Sequence, residues 1–224
     1  MICLLCYLLA YVGVFCSLKW LSYIGLFLYN AVGIIAANII CLKLYPIPIF
    51  GINIPCGNIV FGSLFAVNVI LEKRFGYDVA KKCIYSGFAY YLLFALTMQL
   101  CIFIPCANNV GTCINMHDEI KAIFSFSVPF FFASCIAYFV SQFLNIYVFA
   151  KLRRIINNTT TSAIVSMCGS TVVDNFVFSV FAWNIFAPEK VAWGDLFTTY
   201  FLNTILVRIF VALSFVPLVK FCLR

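Results

Sequence analysis

The sequence predicts an all-α fold, a polytopic membrane helix bundle with six core transmembrane helices and a short apolar helix before them. Of the 224 residues, 65% are hydrophobic and only 9% are charged, and the mean hydropathy is +1.10. A soluble domain is roughly half apolar and about a quarter charged, so these charges are too few to cover a soluble globule. The composition therefore excludes a soluble nucleic-acid-binding domain, a secreted disulfide scaffold and a disordered chain.

Residues 2–18 form the first apolar run, which is shorter than a typical membrane span. The run has neither the cationic start nor the small-residue cleavage site of a signal peptide. We therefore expect an extra or partly embedded N-terminal helix ahead of a core at residues 20–219. The whole chain, residues 1–224, is expected to form one membrane transporter domain.

Six further apolar runs are each long enough to cross a bilayer core of about 30 Å, which takes about 20 helical residues. The predicted spans are residues 20–42, 48–71, 84–105, 122–149, 162–186 and 196–219. Pro46, Pro48 and Pro55 crowd the start of the second span. One interpretation is an irregular or broken helix there, and the simpler one is a loop in the headgroup region.

The cations predict how this core is oriented. Ten of the fourteen fall on one side of the predicted spans: Lys19, Lys73, Arg74, Lys81, Lys82, Lys151, Arg153, Arg154, Lys220 and Arg224. Because cytoplasmic loops are enriched in Lys and Arg, this side is predicted to be cytoplasmic, with both ends of the six-helix core inside. The net charge of +7 is thus interpreted as a topology signal and not as a sign of an acidic partner.

Two fully charged residues remain inside predicted spans, Asp174 in the fifth and Arg208 in the sixth. A charge at the bilayer centre costs at least about 2.5–3.5 kcal/mol, so each is expected to have a partner or a function. Both lie about 18 Å along their helices from the inner end, where adjacent antiparallel helices can bring them together. One interpretation is an ion pair that only neutralises itself. The other is a substrate site in which Asp174 accepts hydrogen bonds and Arg208 balances its charge.

Three amide side chains, Asn68, Gln142 and Asn145, lie near the inner ends of the second and fourth spans. Gln142 and Asn145 are three residues apart and therefore share one face of a helix. Singly, such amides usually bridge helices. Together with the two charged residues they predict a cavity with a few convergent polar groups, as small-ligand sites have. Asn38, in the first span, is a further candidate with weaker support.

A short internal similarity places Asn145 and Asp174 in equivalent positions. Residues 141–149 and 170–178 both read Ser, two residues, an aliphatic residue, Asn or Asp, one residue, an aromatic residue, Val and Phe. Transporters often place their sites between related helices. A carboxylate such as Asp174 can accept two neighbouring hydrogen bonds from a ligand, and Phe178 can stack on a planar ring.

No catalytic or cofactor site is predicted. The one histidine, His117, lies in a predicted outer loop beside two acidic residues, where a solvated role is usual. The chain has no Walker A sequence, no zinc-protease motif and no Gly-x-Ser-x-Gly, so an enzyme is not predicted. The twelve cysteines are interpreted mostly as small apolar residues. Cys106 and Cys113 share a polar loop, in which a disulfide is an open alternative.

Four segments, in order, resemble the queuosine precursor transporter family. Residues 68–88 read NVILEKRFGYDVAKKCIYSGF and are similar to a family segment with an E-x-Y-G-x-x-x-A-R pattern. Residues 141–154 read SQFLNIYVFAKLRR and are similar to its G-Q-x-x-D-V-x-V-F-x-x-L-R. Residues 170–183 read STVVDNFVFSVFAW and are similar to its D-T-x-x-F-x-x-I-A-F. Asn38 followed by Lys43 matches its A-N-x-x-x-x-K.

This resemblance implies a bacterial inner-membrane protein that imports a 7-deazaguanine precursor of queuosine (preQ0, preQ1 or queuine) for tRNA modification. It also implies a fold similar to the substrate-binding subunits of energy-coupling-factor vitamin transporters. Three positions depart from the family pattern: Asn68 and Asn145 stand near or at positions where Asp is usual, and Arg208 stands where Lys is usual. Fewer carboxylates weaken a proton-relay model and are compatible with a different precursor, such as queuine.

Other functions stay open from the sequence. The chain can be a vitamin-binding subunit that needs a partner ATPase module, docked on the cytoplasmic loop with Lys73, Arg74, Lys81 and Lys82. It can also be a non-transporting scaffold in which the charged pair only holds helices together. The partners to consider are therefore a small 7-deazapurine, the lipid bilayer, and a second copy or an ATPase module, with no nucleic acid and no cofactor.

Overall fold

A computed structural model describes residues 2–41, 43–47, 52–105, 111–125, 128–187 and 190–223. Its helices are α1 (Ile2–Ile40), α2 (Asn58–Phe75), α3 (Tyr77–Phe103), α4 (Gly111–Ser125), α5 (Val128–Ile156), α6 (Thr159–Val180), α7 (Trp193–Asp195), α8 (Asn203–Ser214) and α9 (Val216–Cys222). A π-helical turn, Phe181–Ile185, continues α6, and a second, Leu196–Leu202, joins α7 to α8. The predicted class of a helical membrane bundle is confirmed.

The long helix α1 contains both N-terminal apolar runs and folds back on itself at Ser22. Ser22 has non-helical backbone angles, φ 55° and ψ −135°. A Cβ atom on Gly25 would lie 2.1 Å from the carbonyl oxygen of Ser17, and one on Gly13 would lie 2.9 Å from the ring of Tyr29. Sixteen residues of straight helix would separate the latter two by about 24 Å. The halves of α1 are therefore antiparallel neighbours, and the predicted N-terminal helix packs against the first span.

The N-terminal half of α1 also covers the C-terminal helices. The rings of Tyr7 and Tyr11 stack on Phe215, with centroid distances of 5.6 and 5.2 Å. Phe15 lies 5.6 Å from the ring of Phe221. These aromatic contacts make residues 2–18 an integral part of the bundle.

The second predicted span begins differently from its prediction. Strands β1 (Leu44–Ile47) and β2 (Ile52–Pro55) pair in an antiparallel hairpin, and α2 begins only at Asn58. The helix predicted from residue 48 is therefore wrong over residues 52–57, and residues 48–51 lie outside the described part of the chain. Proline cannot donate the backbone hydrogen bond that a helix interior requires, but an isolated hairpin consists of edge strands that tolerate it.

Five segments of the described chain are long and apolar enough to cross a membrane: Leu5–Ile40, Tyr77–Phe103, Phe131–Ile156, Thr159–Ile185 and Trp193–Cys222. Helix α2, with 18 residues, is shorter, and it lies between α1, α3, α5, α6, α8 and α9. Its residues 62–72 are all buried, whereas Phe103 and Leu206 on outer helices are 80% and 75% exposed. A buried central helix inside an apolar exterior suits a lipid surrounding.

Helix α4 occupies part of the stretch that was predicted to be an outer loop. It contains Cys113 and His117, so the loop prediction is wrong over these residues. Cys106 lies outside the described residues, and the disulfide alternative stays untested. Helix α5 follows at Val128, six residues later than the predicted start of the fourth span.

Candidate functional site

Asp174 and Arg208, the two charged residues inside the predicted spans, meet between α6 and α8. Nη1 of Arg208 donates a hydrogen bond of 2.9 Å to Oδ2 of Asp174. The hydroxyl of Ser141, on α5, donates a second bond of 2.9 Å to Oδ1 of the same carboxylate. Asp174 is only 6% exposed. Three helices therefore converge on one buried carboxylate, as the depth of the two charges along their helices predicted.

Of these side chains, Asp174 and Arg208 line a cavity of about 520 Å³. Its walls are mainly apolar, and their aromatic members include Phe61, Tyr91, Phe94, Phe131, Phe178 and Trp183. The cavity extends from the ion pair to Leu44 and Pro55 of the hairpin and to Phe124 of α4. A volume of this size and an apolar lining with few polar groups are typical of small-molecule sites, which measure about 300–1,000 Å³.

Besides the ion pair, polar side chains in the cavity lining include Asn38, Gln99 and Ser134. The amide nitrogen of Asn38 donates to the carbonyl of Ile34 within its own helix, at 2.8 Å. Nε2 of Gln99 donates to the carbonyl of Phe124 at 2.9 Å, which ties α3 to α4 at the end of the cavity away from the ion pair. Asn38, which the sequence named as a candidate, thus lies in the lining of the cavity.

The predicted amide group forms a separate cluster beside the cavity. Nδ2 of Asn68 donates to Oε1 of Gln142 at 2.7 Å, and Nδ2 of Asn145 donates to the carbonyl of Phe65 at 3.0 Å. All three amides are buried, and none belongs to the described cavity lining. The structure therefore brings Asp174, Arg208, Asn38 and Phe178 together around one space and keeps the three amides in the contact between α2 and α5.

Unused hydrogen-bonding capacity remains at the ion pair. Each carboxylate oxygen of Asp174 accepts one described bond and has a second lone pair. Within the described residues, the buried Nε of Arg208 has no hydrogen-bond partner. The pair can therefore accept two further hydrogen bonds and donate at least one. This arrangement is complementary to a planar group that has two donors and one acceptor.

A second ion pair lies further along the bundle, between α2 and α5. Nη2 of Arg153 is 3.2 Å from Oε1 of Glu72. The glutamate side chain is 3% exposed and the arginine side chain 33%. Because Arg153 belongs to the predicted cytoplasmic cation group, this pair lies at the end of the helix contact that the cations predict to be the inner one.

Several lining residues were not identified from the sequence: Cys41, Tyr91, Gln99, Ser134 and Trp183. With 12 tyrosines and 26 phenylalanines in the chain, an aromatic residue in a span carries no signal that separates a cavity wall from a lipid contact. Trp183 had one signal, since it closes the segment 170–183 that resembles a family motif. Its ring packs 4.4 Å from that of Tyr200.

Comparison with known proteins places the chain in a family. The model of the family described as "Putative vitamin uptake transporter" matches residues 55–222. The chain belongs to this family. The matched stretch runs from the end of β2 into α9 and contains Ser141, Asp174 and Arg208. The protein is thus a transmembrane transporter by family and by its span-length helices.

One relative has a more specific name. A Bacillus subtilis (strain 168) protein called "Probable queuosine precursor transporter" is 25% identical over 208 residues, which cover 89% of this chain and 83% of the relative. The resemblance drawn from the four sequence segments is thereby confirmed. No solved structure matches the chain.

Proposed function

We propose that this protein is an inner-membrane importer of a queuosine precursor of the 7-deazaguanine type: preQ0, preQ1 or queuine. The observation that carries the proposal is the buried Asp174–Arg208 pair at one end of a 520 Å³ cavity with aromatic walls. The name of the Bacillus subtilis relative supports the same substrate class. The orientation that the cations predict, with both ends of the six-helix core inside, belongs to this proposal.

The proposed recognition of the substrate follows from the unused hydrogen-bond donors and acceptors of the ion pair. A guanine-type edge presents a ring N–H and an exocyclic amine side by side, next to a carbonyl oxygen. The second lone pairs of the Asp174 oxygens accept the two donors, and a guanidinium N–H of Arg208 donates to the carbonyl. Because the carboxylate is already held by Ser141 and Arg208, it is preorganised and loses little freedom when the ligand binds.

The heterocycle lies between aromatic walls in this proposal. Phe178 is on the same helix as Asp174, one turn further along, and lines the same cavity as Trp183. A flat ring between such side chains gains stacking contacts in addition to its hydrogen bonds. Asn38, also in the lining, is proposed to contact the ligand. Asn68, Gln142 and Asn145, which lie outside the lining, are proposed to contact it only as it moves further inward.

The proposal is tested by the queuosine content of tRNA. The host is a bacterium that lacks its own importer and de novo synthesis but retains insertion of the base, fed preQ0, preQ1 or queuine at low concentration. Queuosine is expected only in cells that produce this protein, and the precursor that yields it identifies the substrate. Asp174→Ala is expected to abolish queuosine formation when the variant and the wild type are compared at matched membrane levels. Asp195→Ala, at an exposed acid on α7 outside the cavity lining, is the matched control and is expected to behave as the wild type.

The outcomes separate the alternatives. Normal queuosine with Asp174→Ala contradicts the proposed site. No queuosine with any precursor, from well-expressed protein, contradicts the importer or requires a partner, and co-purified ATPase subunits would then favour a binding subunit docked through Lys73, Arg74, Lys81 and Lys82. A scaffold without transport activity predicts that a double change of Asp174 and Arg208 to alanine keeps all activity of the assembly.

A further inference from the structure

We propose that polar side chains inward of Asp174, on α2, α5 and α6, form a hydrated passage through which the substrate leaves the cavity toward the Glu72–Arg153 end. In this structure the passage is closed. The proposal rests on the proposed function, because it concerns the route of the same substrate. Its members beyond Asp174 are Asn68, Gln142, Asn145, Ser170 and Thr171.

The position of these residues follows from one measured contact. Ser141 of α5 touches Asp174 of α6 at 2.9 Å, and the two helices are antiparallel neighbours joined by the short turn between Ile156 and Thr159. Moving four residues forward on α5 and four back on α6 reaches Asn145 and Ser170, both about 6 Å further inward. Both helices therefore continue their polar face past the carboxylate.

Helix α2 contributes a parallel polar face. Asn68 donates to Gln142 at 2.7 Å, and Asn145 donates to a carbonyl of α2 at 3.0 Å, so that the same face of α5 contacts α2 and α6. Glu72 lies one helical turn beyond Asn68 and bonds Arg153 at 3.2 Å. The three helices thus enclose one polar strip that begins at the cavity and ends at a salt bridge.

The strip contains several hydrogen-bonding atoms that are buried without a partner. Within the described residues these atoms are Oδ1 of Asn68, Nε2 of Gln142, Oδ1 of Asn145, Oγ of Ser170 and Oγ1 of Thr171. Each residue is at most 4% exposed. Buried polar groups in proteins nearly always have a partner, and ordered water supplies it when protein does not. A group of such atoms in the interior of a membrane bundle therefore indicates a region that water or a polar ligand enters.

The two hydroxyls make this argument specific. A serine or threonine in a membrane helix normally satisfies its hydroxyl on a backbone carbonyl of the preceding turn. Ser63 and Ser166 do so here, at 2.6 and 3.2 Å, whereas Ser170 and Thr171 do not. Because neither hydroxyl bonds any of the described residues, neither contributes a hydrogen bond between helices. The two residues therefore differ from polar groups that serve only to bond neighbouring membrane helices.

The Glu72–Arg153 pair closes the inner end. The pair links α2 to α5 by side chains alone, so a small separation of the two helices breaks it. The polar strip then opens at the end where the Arg153 side chain is 33% exposed. The cavity, in contrast, is bounded away from the ion pair by the hairpin and α4. The substrate thus enters from that side, binds at Asp174, and leaves along the strip when α2 and α5 part.

The test compares binding with transport in a variant that removes only the unpartnered hydroxyls, Ser170→Ala/Thr171→Val. The control is Ser63→Ala, which removes an equally buried hydroxyl that bonds Tyr29 at 2.8 Å on the opposite side of α2. Uptake of labelled preQ0, preQ1 and queuine is measured in cells, and the melting temperature of purified protein is measured with and without the same compounds. We expect the double variant to keep the ligand-induced rise in melting temperature and to lose at least fivefold in uptake rate.

The results are separable. If uptake by the double variant equals that of Ser63→Ala, the passage is refuted while the proposed function stands. A melting temperature of the ligand-free double variant above that of the wild type also refutes it, because removing unpartnered hydroxyls stabilises only a dry interior. If the wild type neither takes up nor is stabilised by any of the three compounds, the failure is that of the proposed function.

Discussion

The buried Asp174–Arg208 pair leads to a prediction in which stability and transport respond differently. Removing one partner by Asp174→Ala leaves a guanidinium in the bundle interior with its Nη1 and Nε unbonded. Removing one member of a buried pair costs about 3–5 kcal/mol. The Asp174–Arg208 pair counts as buried, because its carboxylate and guanidinium side chains are 9% and 11% exposed and lie 2.9 Å apart. Arg208→Ala is expected to cost a similar amount, since it leaves the carboxylate with Ser141 alone.

The double variant Asp174→Leu/Arg208→Met is expected to recover most of this loss. Replacing a buried pair by apolar side chains of similar volume is often neutral, or stabilising by about 1–4 kcal/mol, because neither charge then pays for desolvation. The two single costs are therefore strongly non-additive, as for residues in direct contact. Uptake is expected to be absent in all three variants, because the acceptor of the base edge is missing in the first and third and is misplaced in the second.

Two assays decide this prediction. The free energy of unfolding is measured by titrating purified protein with SDS in mixed micelles, and uptake is measured by the queuosine content of tRNA at matched membrane levels. A double variant that is stable and transports normally would refute the substrate role of Asp174 and favour a purely structural role of the ion pair. Single variants that lose less than about 1 kcal/mol would refute the description of the pair as desolvated.

Three further predictions concern the frame around the site. Gly25→Ala is expected to lower the free energy of unfolding by about 3 kcal/mol or more, since the added Cβ would lie 2.1 Å from a backbone carbonyl oxygen. Gly169→Ala, whose added Cβ has nothing within 4 Å, is expected to be neutral or stabilising by up to about 1 kcal/mol. Unfolding in SDS measures both changes. Asn158→Ala, which removes the N-cap bond of α6, is expected to cost about 1 kcal/mol, and Asn158→Ser to restore it. Glu72→Ala is expected to cost about 1.5–3 kcal/mol by freeing Arg153, with the smaller loss in Glu72→Gln; equal losses would contradict the charge-based account.

The spans could be predicted because their cause is local. A run of apolar residues must leave water wherever it stands in the chain, and the segments around residues 84–105, 162–186 and 196–219 lie in α3, α6 and the helices that end at Cys222. The start of the second span could not be predicted in the same way. Its residues are apolar enough for a helix, but the prolines at 46 and 55 remove donors, and the chain pairs as a hairpin instead.

The candidate site was predicted in part. Asp174 and Arg208 were identifiable because an ionised side chain within a span is too costly to lack a partner, and their equal depth indicated which partner. The position of Asn68, Gln142 and Asn145 outside the cavity was not identifiable. Which side of a helix faces a cavity and which faces another helix depends on how the helices are rotated against one another.

Composition and pattern were thus enough to establish a membrane bundle and to single out the two charges inside its spans, since both follow from the cost of placing each residue in lipid, while the class of function came from the resemblance of four segments to a family. The fold of α1 back on itself at Ser22, the aromatic walls and the separation of the cavity from the amide cluster came from packing. They depend on contacts between residues distant in the chain, such as Gly13 with Tyr29 and Ser141 with Asp174, which no local pattern contains.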